Sequence, residues 1–250
     1  PITNLYNYLR PPPELGWSLR VTAVRDFRGG ENTYDSHNGT DFAIPPGTDV
    51  LAAAPGVVLR VSSEFHRGGR KIVVDHGRGL VTTYNHLARP LVRPGELVKR
   101  GERIALSGYS GLDALAGFPW TPPHVHFNCW LNTRYVDPFT PIGERAPSLF
   151  RVHNDPKPAR GEDLGETLAA PTPWDHDAID LLLTHCKSEA SRAEIERAPS
   201  AAERVGAALL HYLYFPTRFD GEALDRAAGG GGFCLHRERF PRGPRLDLPF

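Results

Sequence analysis

Residues 48–61, TDVLAAAPGVVLRV, contain the clearest strand and turn signals of the chain. It contains two short runs of β-favouring residues, Val50–Ala53 and Val57–Val61, separated by the turn signal Pro55-Gly56. Further runs follow, with Gly- and Pro-containing turns between them: Lys71–Asp75, Val81–Tyr84, Arg103–Leu106 and His124–Trp130. Strands this short, at this spacing, predict an antiparallel β-sandwich or open barrel.

The composition argues against several classes of protein. The chain carries 29 basic and 29 acidic side chains, so its formal net charge is zero and we expect no nucleic-acid partner. No run approaches the ~18 apolar residues of a transmembrane helix. The first residues contain no apolar signal-peptide core, so we expect that an export signal is absent or has been removed. The three cysteines are far apart, which argues against a disulfide framework or a cysteine-type zinc site.

The character of the sequence changes along the chain. Residues 1–20 are proline-containing and predict an extended N-terminal arm, whereas residues 21–145 predict the β domain. Residues 146–171 are charged and proline-containing, which is typical of a linker. Residues 172–250 predict a small helical C-terminal extension, so the fold class is mainly β with an added helical part.

The predicted helices have recognisable starts. Thr172 as a cap and Pro173 at the first helical position predict a helix start. The apolar residues that follow recur at helical spacing: Ile179, Leu182, Leu183 and Cys186. Ser200 and Glu203 form a capping-box pattern for a second helix.

The spacing of several histidines points to chemistry. His37 and Asp41 are four residues apart, so in an extended chain both side chains point to the same face and can converge on one metal ion. His124 and His126 are two residues apart and also share a strand face. Imidazoles with a carboxylate are a ligand mix that zinc accepts, with a fourth position left for water. The chain contains no HExxH motif, so a helix-borne glutamate base is not available.

These fragments and the text between them resemble the zinc endopeptidases of peptidase family M23, the lysostaphin and LytM type. The matching text includes His37-x-Gly39-x-Asp41, the 47–58 segment, Asp75-His76-Gly77, Thr83-Tyr84-Asn85-His86-Leu87, Ser107-Gly108 and His124-x-His126-Phe127. These motifs arrive in the family's order and cover roughly residues 35–139. The resemblance implies that residues 21–145 are an M23-type catalytic domain with a LytM-like β core.

The resemblance also implies a role for each of five residues. His37, Asp41 and His126 look like the ligands of one zinc ion per chain, and His86 and His124 look like the catalytic side chains. The implied reaction is hydrolysis of peptide bonds in bacterial peptidoglycan, at a cross-link or an interpeptide bridge, through a zinc-activated water. By resemblance, His76 has a structural role in a turn.

The sequence departs from the family around the histidine pair. The usual Gly-Pro before the pair reads Pro122-Pro123, and Asn128 stands where members often carry Glu. The segment 112–123 is longer than usual, and we expect it to border the substrate groove. The candidate substrate-contacting residues are Tyr84, Phe118, Trp120 and Asn128. Tyr84 equally suits a cross-strand packing role.

Two alternative functions remain open at this point. One is an envelope scaffold or binding module with an occluded groove, since some M23 members have lost their ligands. The other is a zinc protease that acts on proteins rather than on the cell wall. By resemblance, the expected location is the cell envelope, the periplasm or the medium outside the cell.

Overall fold

The computed structural model describes residues 2–4, 6, 21–22, 33–34, 37–116, 121–138 and 170–239. Its main feature is a 10-stranded sheet in which every pairing of neighbouring strands is antiparallel. The strands are β1 Ile2–Asn4, β2 Val21–Thr22, β3 Thr33–Tyr34, β4 Thr40–Ala43, β5 Asp49–Leu51, β6 Gly56–Glu64, β7 Gly69–Asp75, β8 Leu80–Pro90, β9 Leu97–Val98, β10 Arg103–Ser107, β11 His124–Leu131 and β12 Arg134–Val136. The mainly antiparallel β fold predicted from the sequence is therefore confirmed.

The sheet order places distant parts of the chain side by side. The main path runs β1-β4-β11-β8-β7-β6-β9, with β10 pairing to β5 and β8, and β12 pairing to β11. Strands β2 and β3 form a separate two-stranded pair. Strand β11 lies between β4 and β8, so the histidine pair of β11 is flanked by the strand that carries Asp41 and by the strand that carries His86.

Both faces of the central strands are buried, because alternate residues serve two different clusters. In β7, Ile72 and Val74 join one apolar cluster, while Val73 between them joins the other. This alternation follows from the two-residue side-chain period of a strand. A strand buried on both faces is apolar at successive positions, which is why the KIVVD run lacks a polar alternation.

The helical part covers one of these two faces. Besides the short α1 Leu112–Ala116, the helices are α2 His176–Thr184, α3 Glu189–Glu196, α4 Ala201–Tyr214 and α5 Gly221–Ala227. Helix α4 crosses β6 at Gly206, where an added Cβ would lie 2.7 Å from the Cβ of Arg60. The cluster beneath the helices joins their buried residues to one face of the sheet: Leu59, Val73, Val81 and Trp130.

The starts of two helices show one prediction confirmed and one wrong. Ser200 caps α4, since its Oγ accepts a hydrogen bond from the backbone N–H of Glu203. Thr172 does not cap a helix; α2 begins at His176 with Asp175 as its N-cap. Thr172 instead donates a 2.7 Å hydrogen bond from its hydroxyl to Asp75 Oδ1 and so ties the start of the extension to the sheet.

Some expectations lie beyond the described residues. The arm 1–20 is described only at residues 2–4 and 6, and the linker 146–171 only at 170–171. The three boundaries between the four predicted segments therefore stay predictions. Within the described residues, none of the helices is long and apolar enough to cross a membrane.

Candidate active site

A cluster of one carboxylate and two imidazoles forms where β4 meets β11. Asp41 and His126 lie directly opposite each other in the antiparallel register, and His126 Nδ1 is 2.8 Å from Asp41 Oδ1. His37 precedes β4, and its Nε2 lies 3.2 Å from both Asp41 Oδ2 and His126 Nδ1. Within the described part of the chain, this is the only group of three or more His, Cys, Asp or Glu residues with its ligand atoms, here within 4.8 Å of one another, placed to hold a metal.

Gly39 explains why the first motif has this spacing. A Cβ on Gly39 would lie 2.5 Å from the carbonyl oxygen of Phe127 and 2.7 Å from His126 Nε2, closer than real Cβ atoms approach. A side chain at this position would push the segment away from β11. Glycine therefore lets His37 and Asp41 approach His126 from the neighbouring strand.

The chemistry of this donor set fits a divalent metal such as zinc. Burial opposes ionisation of Asp41, but electrostatic interactions with His37 and His124 and hydrogen bonds from His126 and His37 hold the pKa of this carboxyl well below its usual range. Burial lowers the pKa of His126, so its imidazole is neutral and keeps a lone pair. Two imidazole nitrogens and one carboxylate form a three-ligand set that leaves a position open, as catalytic zinc sites do.

Two further histidines border the cluster. His124 lies two residues before His126 on the same face of β11, and its Nε2 is 3.6 Å from Asp41 Oδ1. His86 packs its ring against His124, with 4.7 Å between the ring centroids, and lies 6.1 Å from the ring of His126. Both side chains are nearly buried, at 3% and 5% exposure. The structure therefore brings together all five residues of the implied ligand and catalytic sets.

Backbone carbonyl groups set the tautomers of these two histidines. His124 Nδ1 lies 2.8 Å from the carbonyl oxygen of Pro122, and His86 Nδ1 lies 2.7 Å from that of Ser110. A carbonyl oxygen only accepts, so each Nδ1 carries the proton and each Nε2 keeps its lone pair. Burial, followed by the nearby His124 and His126, lowers the pKa of His86 to about 3, so that its imidazole is neutral.

A bulge in β8 aims His86 at the cluster. Between the register pairs Arg70–Leu87 and Ile72–Tyr84, β8 contains one residue more than β7. His86 has φ 60°, in the left-handed region that residues other than glycine seldom adopt. Its backbone N–H donates a 2.8 Å hydrogen bond to the carbonyl of Gly68, which holds this conformation.

The structure disagrees with two predicted substrate contacts. Tyr84 is fully buried; its ring packs 5.4 Å from that of Phe127, and its hydroxyl accepts a 2.8 Å hydrogen bond from the Ala53 N–H. This favours the packing role that the sequence left open for Tyr84. Asn128 is also fully buried, so neither residue presents a surface to a substrate. The other two candidates, Phe118 and Trp120, lie outside the described residues.

Several polar residues around the site were not predicted from the sequence. Asn38 Oδ1 lies 3.0 Å from His126 Nε2, and Asn85 Nδ2 donates to the carbonyl of His126 at 2.8 Å. Tyr109 donates from its hydroxyl to the carbonyl of Thr121 at 2.6 Å, while its ring lies 6.4 Å from that of His124. Both asparagines adjoin motif residues in sequence, which is the only signal that marks them.

His76 shows what a structural histidine looks like in the same fold. It is fully buried, with Nδ1 2.8 Å from the carbonyl oxygen of Pro55 and Nε2 2.7 Å from the hydroxyl of Thr82. Both of its nitrogens therefore have polar partners within the protein. Burial lowers the pKa of His76 to about 4.

Comparisons with known proteins concern the same part of the chain. Residues 35–138 match the model of peptidase family M23. An uncharacterised metalloprotease of Haemophilus influenzae is 42% identical over 104 residues, which are 42% of this chain and 20% of that protein. The peptidoglycan DD-endopeptidase ShyA of Vibrio cholerae is 40% identical over 101 residues, 40% of this chain and 22% of that protein.

Solved structures are also similar to about half of this chain. A zinc-containing peptidase from Vibrio cholerae has 34% sequence identity over 55% of this chain and 35% of that chain, with a TM-score of 0.41. The catalytic domain of lysostaphin from Staphylococcus simulans has 27% identity over 49% of this chain and 87% of that chain, with a TM-score of 0.37. The chain spans about a fifth of the length of the first curated relatives it matches.

Proposed function

We propose that this chain, whose residues 35–138 match the model of peptidase family M23, is a zinc metalloendopeptidase that hydrolyses peptide bonds in bacterial peptidoglycan. The observation that carries the proposal is the convergence of His37, Asp41 and His126 beside two imidazoles with fixed tautomers. One zinc per chain would be held by Nε2 of His37, a carboxylate oxygen of Asp41 and Nδ1 of His126. Bound there, zinc would supply a Lewis acid for the scissile carbonyl and would lower the pKa of a water molecule.

The protein's own contribution to the reaction would come from His124 and His86. Each has its Nδ1 proton on a backbone carbonyl, so only Nε2 is available to take a proton from the attacking water or to give one to the leaving amine. When protonated, either imidazole would also donate a hydrogen bond to the negative oxygen that develops on the scissile carbonyl. The two rings are in contact, so they serve one reacting centre together.

The substrate class rests on the relatives. ShyA and ShyB of Vibrio cholerae are peptidoglycan DD-endopeptidases, 40% and 41% identical to this chain over the matched segment. We infer the same substrate here, with the stem-peptide cross-link as the bond cleaved and a location outside the cytoplasm. The complete set of five residues argues against a scaffold that has lost its ligands.

Digestion of purified peptidoglycan tests this function. The zinc-loaded chain is incubated with peptidoglycan sacculi, and the released muropeptides are identified by mass spectrometry. We expect cross-linked dimers to be converted to monomers, and we expect the His124→Ala variant to release monomers roughly 10²–10⁴-fold more slowly. The matched control is His66→Ala, which removes an exposed loop imidazole and should cleave as the wild type does.

Three other outcomes would each overturn part of the proposal. Cleavage of a protein such as casein with intact sacculi would indicate a protease of a different substrate class. No cleavage of either substrate by a zinc-loaded chain would favour the scaffold. Equal cleavage by His124→Ala would remove His124 from the reaction.

A further inference from the structure

Helix α4 delivers one side chain to the boundary between the helical extension and the candidate site. This residue is Tyr214, the last residue of α4, which is 4% exposed. Its ring lies in the apolar cluster under the helices, 6.0 Å from the ring of Trp130. Its hydroxyl leaves that cluster and enters a buried polar network that extends to His126.

The first part of the network fixes the amide of Asn128. The Tyr214 hydroxyl lies 2.9 Å from the side-chain oxygen of Asn85 and also contacts that of Asn128, so its one proton is shared between these two acceptors. Asn128 Oδ1 also accepts from the Thr83 hydroxyl at 2.9 Å and from Asn85 Nδ2 at 3.1 Å. An atom surrounded by three donors is an oxygen, so the NH₂ group of Asn128 must point the other way.

The second part connects Asn128 to His126. Asn128 Nδ2 donates to the backbone oxygen of Asn38 at 2.8 Å and to Asn38 Oδ1 at 3.2 Å. Asn38 Oδ1 in turn lies 3.0 Å from His126 Nε2. Asn128 Nδ2 itself lies 2.9 Å from the same Nε2. These two contacts hold the Nε2 side of the ring among the amides, while Nδ1 faces Asp41 Oδ1 at 2.8 Å.

A second branch reaches the backbone of the same residue. Asn85 accepts from Tyr214 at Oδ1 and donates from Nδ2 to the carbonyl of His126 at 2.8 Å. Thr83, Asn85 and Asn128 are all fully buried, so water does not compete for these bonds. Loss of the tyrosine hydroxyl would leave Asn85 Oδ1 without this donor and would remove one of the hydrogen bonds that fix the two amides.

We propose that Tyr214 is a positioning residue for the metal site: through Asn128, Asn38 and Asn85 it holds His126 in the orientation that presents Nδ1 to zinc. The inference rests on the proposed function, because it takes His126 as a ligand. The helical extension lies outside the segment that matches the M23 model. In this chain the extension would therefore complete the outer shell of a site built by another part of the fold.

Zinc affinity of the full chain tests the proposal without reference to catalysis. The metal-free chain competes for zinc with a chromophoric chelator, and its Kd is measured for the wild type and for Tyr214→Phe. Outer-shell partners of metal ligands are worth about 10–100-fold in affinity. Tyr214 acts one residue further out, so we expect Tyr214→Phe to weaken zinc binding about tenfold, at the low end of that range.

Two control variants separate positioning from general stability. Leu209→Ala removes a buried side chain of the same helix from the apolar cluster, and Tyr212→Phe removes a hydroxyl from a ring that packs on Phe219 and Phe233. Both should keep the wild-type zinc affinity, even where Leu209→Ala lowers the Tm more than Tyr214→Phe does. Equal affinity losses in Leu209→Ala and Tyr214→Phe would show that Tyr214 is only a packing residue.

A double-mutant cycle with Asn38→Ala tests whether Tyr214 acts on His126 through Asn38. Asn38 contacts His126 Nε2 directly, so Asn38→Ala should weaken zinc binding more than Tyr214→Phe does. The loss caused by Tyr214→Phe should be smaller in the Asn38→Ala background than in the wild type, because part of the effect of Tyr214 passes through Asn38. Fully additive losses would contradict a role of Tyr214 that acts through Asn38.

The His126→Ala variant tells the two possible failures apart. If His126→Ala binds zinc as the wild type does, His126 is not a ligand and the proposed function fails with it. If His126→Ala loses zinc while Tyr214→Phe binds normally, only the positioning role of Tyr214 is refuted.

Discussion

One face of the central sheet has two ends that are buried to a similar degree and differ in chemistry. The polar end comprises His37, Asp41, His86, His124 and His126, with His124 and His126 on β11. The apolar end comprises Leu59, Val73, Val81 and Trp130 with the helices that cover them. Along β11 the side chains of His126, Asn128 and Trp130 share this face, so a few residues of one strand lead from one end to the other.

The two ends make opposite contributions to stability. Each fully buried apolar side chain at the apolar end stabilises the fold by about 1.5–3 kcal/mol. Polar groups at the polar end are costly to bury unless they have partners, and here they are partnered mainly by one another and by carbonyl groups. The helical extension therefore stabilises the fold, whereas the polar end preorganises a site at a cost in stability. Substitutions at the apolar end should mainly lower stability, and substitutions at the polar end should mainly lower activity or zinc content.

The largest expected effect is on activity at the polar end. His86→Ala and His124→Ala should each retain zinc and lose roughly 10²–10⁴-fold in activity, the usual contribution of a positioned proton-transfer group. The measurement is the rate of muropeptide release together with the zinc content of each variant. A variant that retains zinc and cleaves at the wild-type rate would show that its histidine is structural.

The apolar end should respond through stability. Leu182 of α2 is fully buried, and Leu182→Ala should lower the free energy of unfolding by about 2–5 kcal/mol. Urea unfolding measures this change, with the exposed Leu97→Ala as the matched leucine control, expected within about 0.5 kcal/mol of the wild type. The zinc content of folded Leu182→Ala should equal that of the wild type. Loss of zinc from this variant without loss of stability would contradict the division into two ends.

The smallest expected effect lies at the cap of α4, the helix that ends at Tyr214. Ser200→Ala removes the side-chain acceptor for the Glu203 N–H and should lower the free energy of unfolding by about 1 kcal/mol. Ser200→Gly should cost only a few tenths of a kcal/mol, since glycine is tolerated at this position. Equal stability of the alanine and glycine variants would show that the Ser200 cap contributes little.

The strands of the sheet were predictable because each follows from local residue types and turn signals. Each of the six predicted runs contains a strand in the structure, although β5 ends at Leu51 and so covers only half of the predicted Val50–Ala53. Strand β8 extends from the predicted Val81–Tyr84 to Leu80–Pro90. Strand β4, Thr40–Ala43, was not predicted because its four residues combine a polar motif with only a short apolar run. The predicted helix start at Thr172 was wrong because the Thr172 hydroxyl binds Asp75, a partner 97 residues away.

In the candidate site, too, local features were predictable and contacts between distant residues were not. The residues that share a strand face, such as His124 with His126, follow from the two-residue period of a strand. The burial of Asn128 depends on the helix that packs over it, and the contact of Tyr214 with Asn85 spans 129 residues. No local pattern encodes such a contact, because it exists only when the extension is docked on the sheet.

The metal content of the chain tests directly whether the polar end is a zinc site. Purified wild type, Asp41→Ala and the exposed control Asp49→Ala are loaded with zinc, dialysed and analysed by mass spectrometry of the metal. We expect one zinc per chain in the wild type and in Asp49→Ala. Asp41→Ala should lose most of its zinc because one of three ligands is removed. Full zinc stoichiometry in Asp41→Ala would show that the polar end is not the metal site.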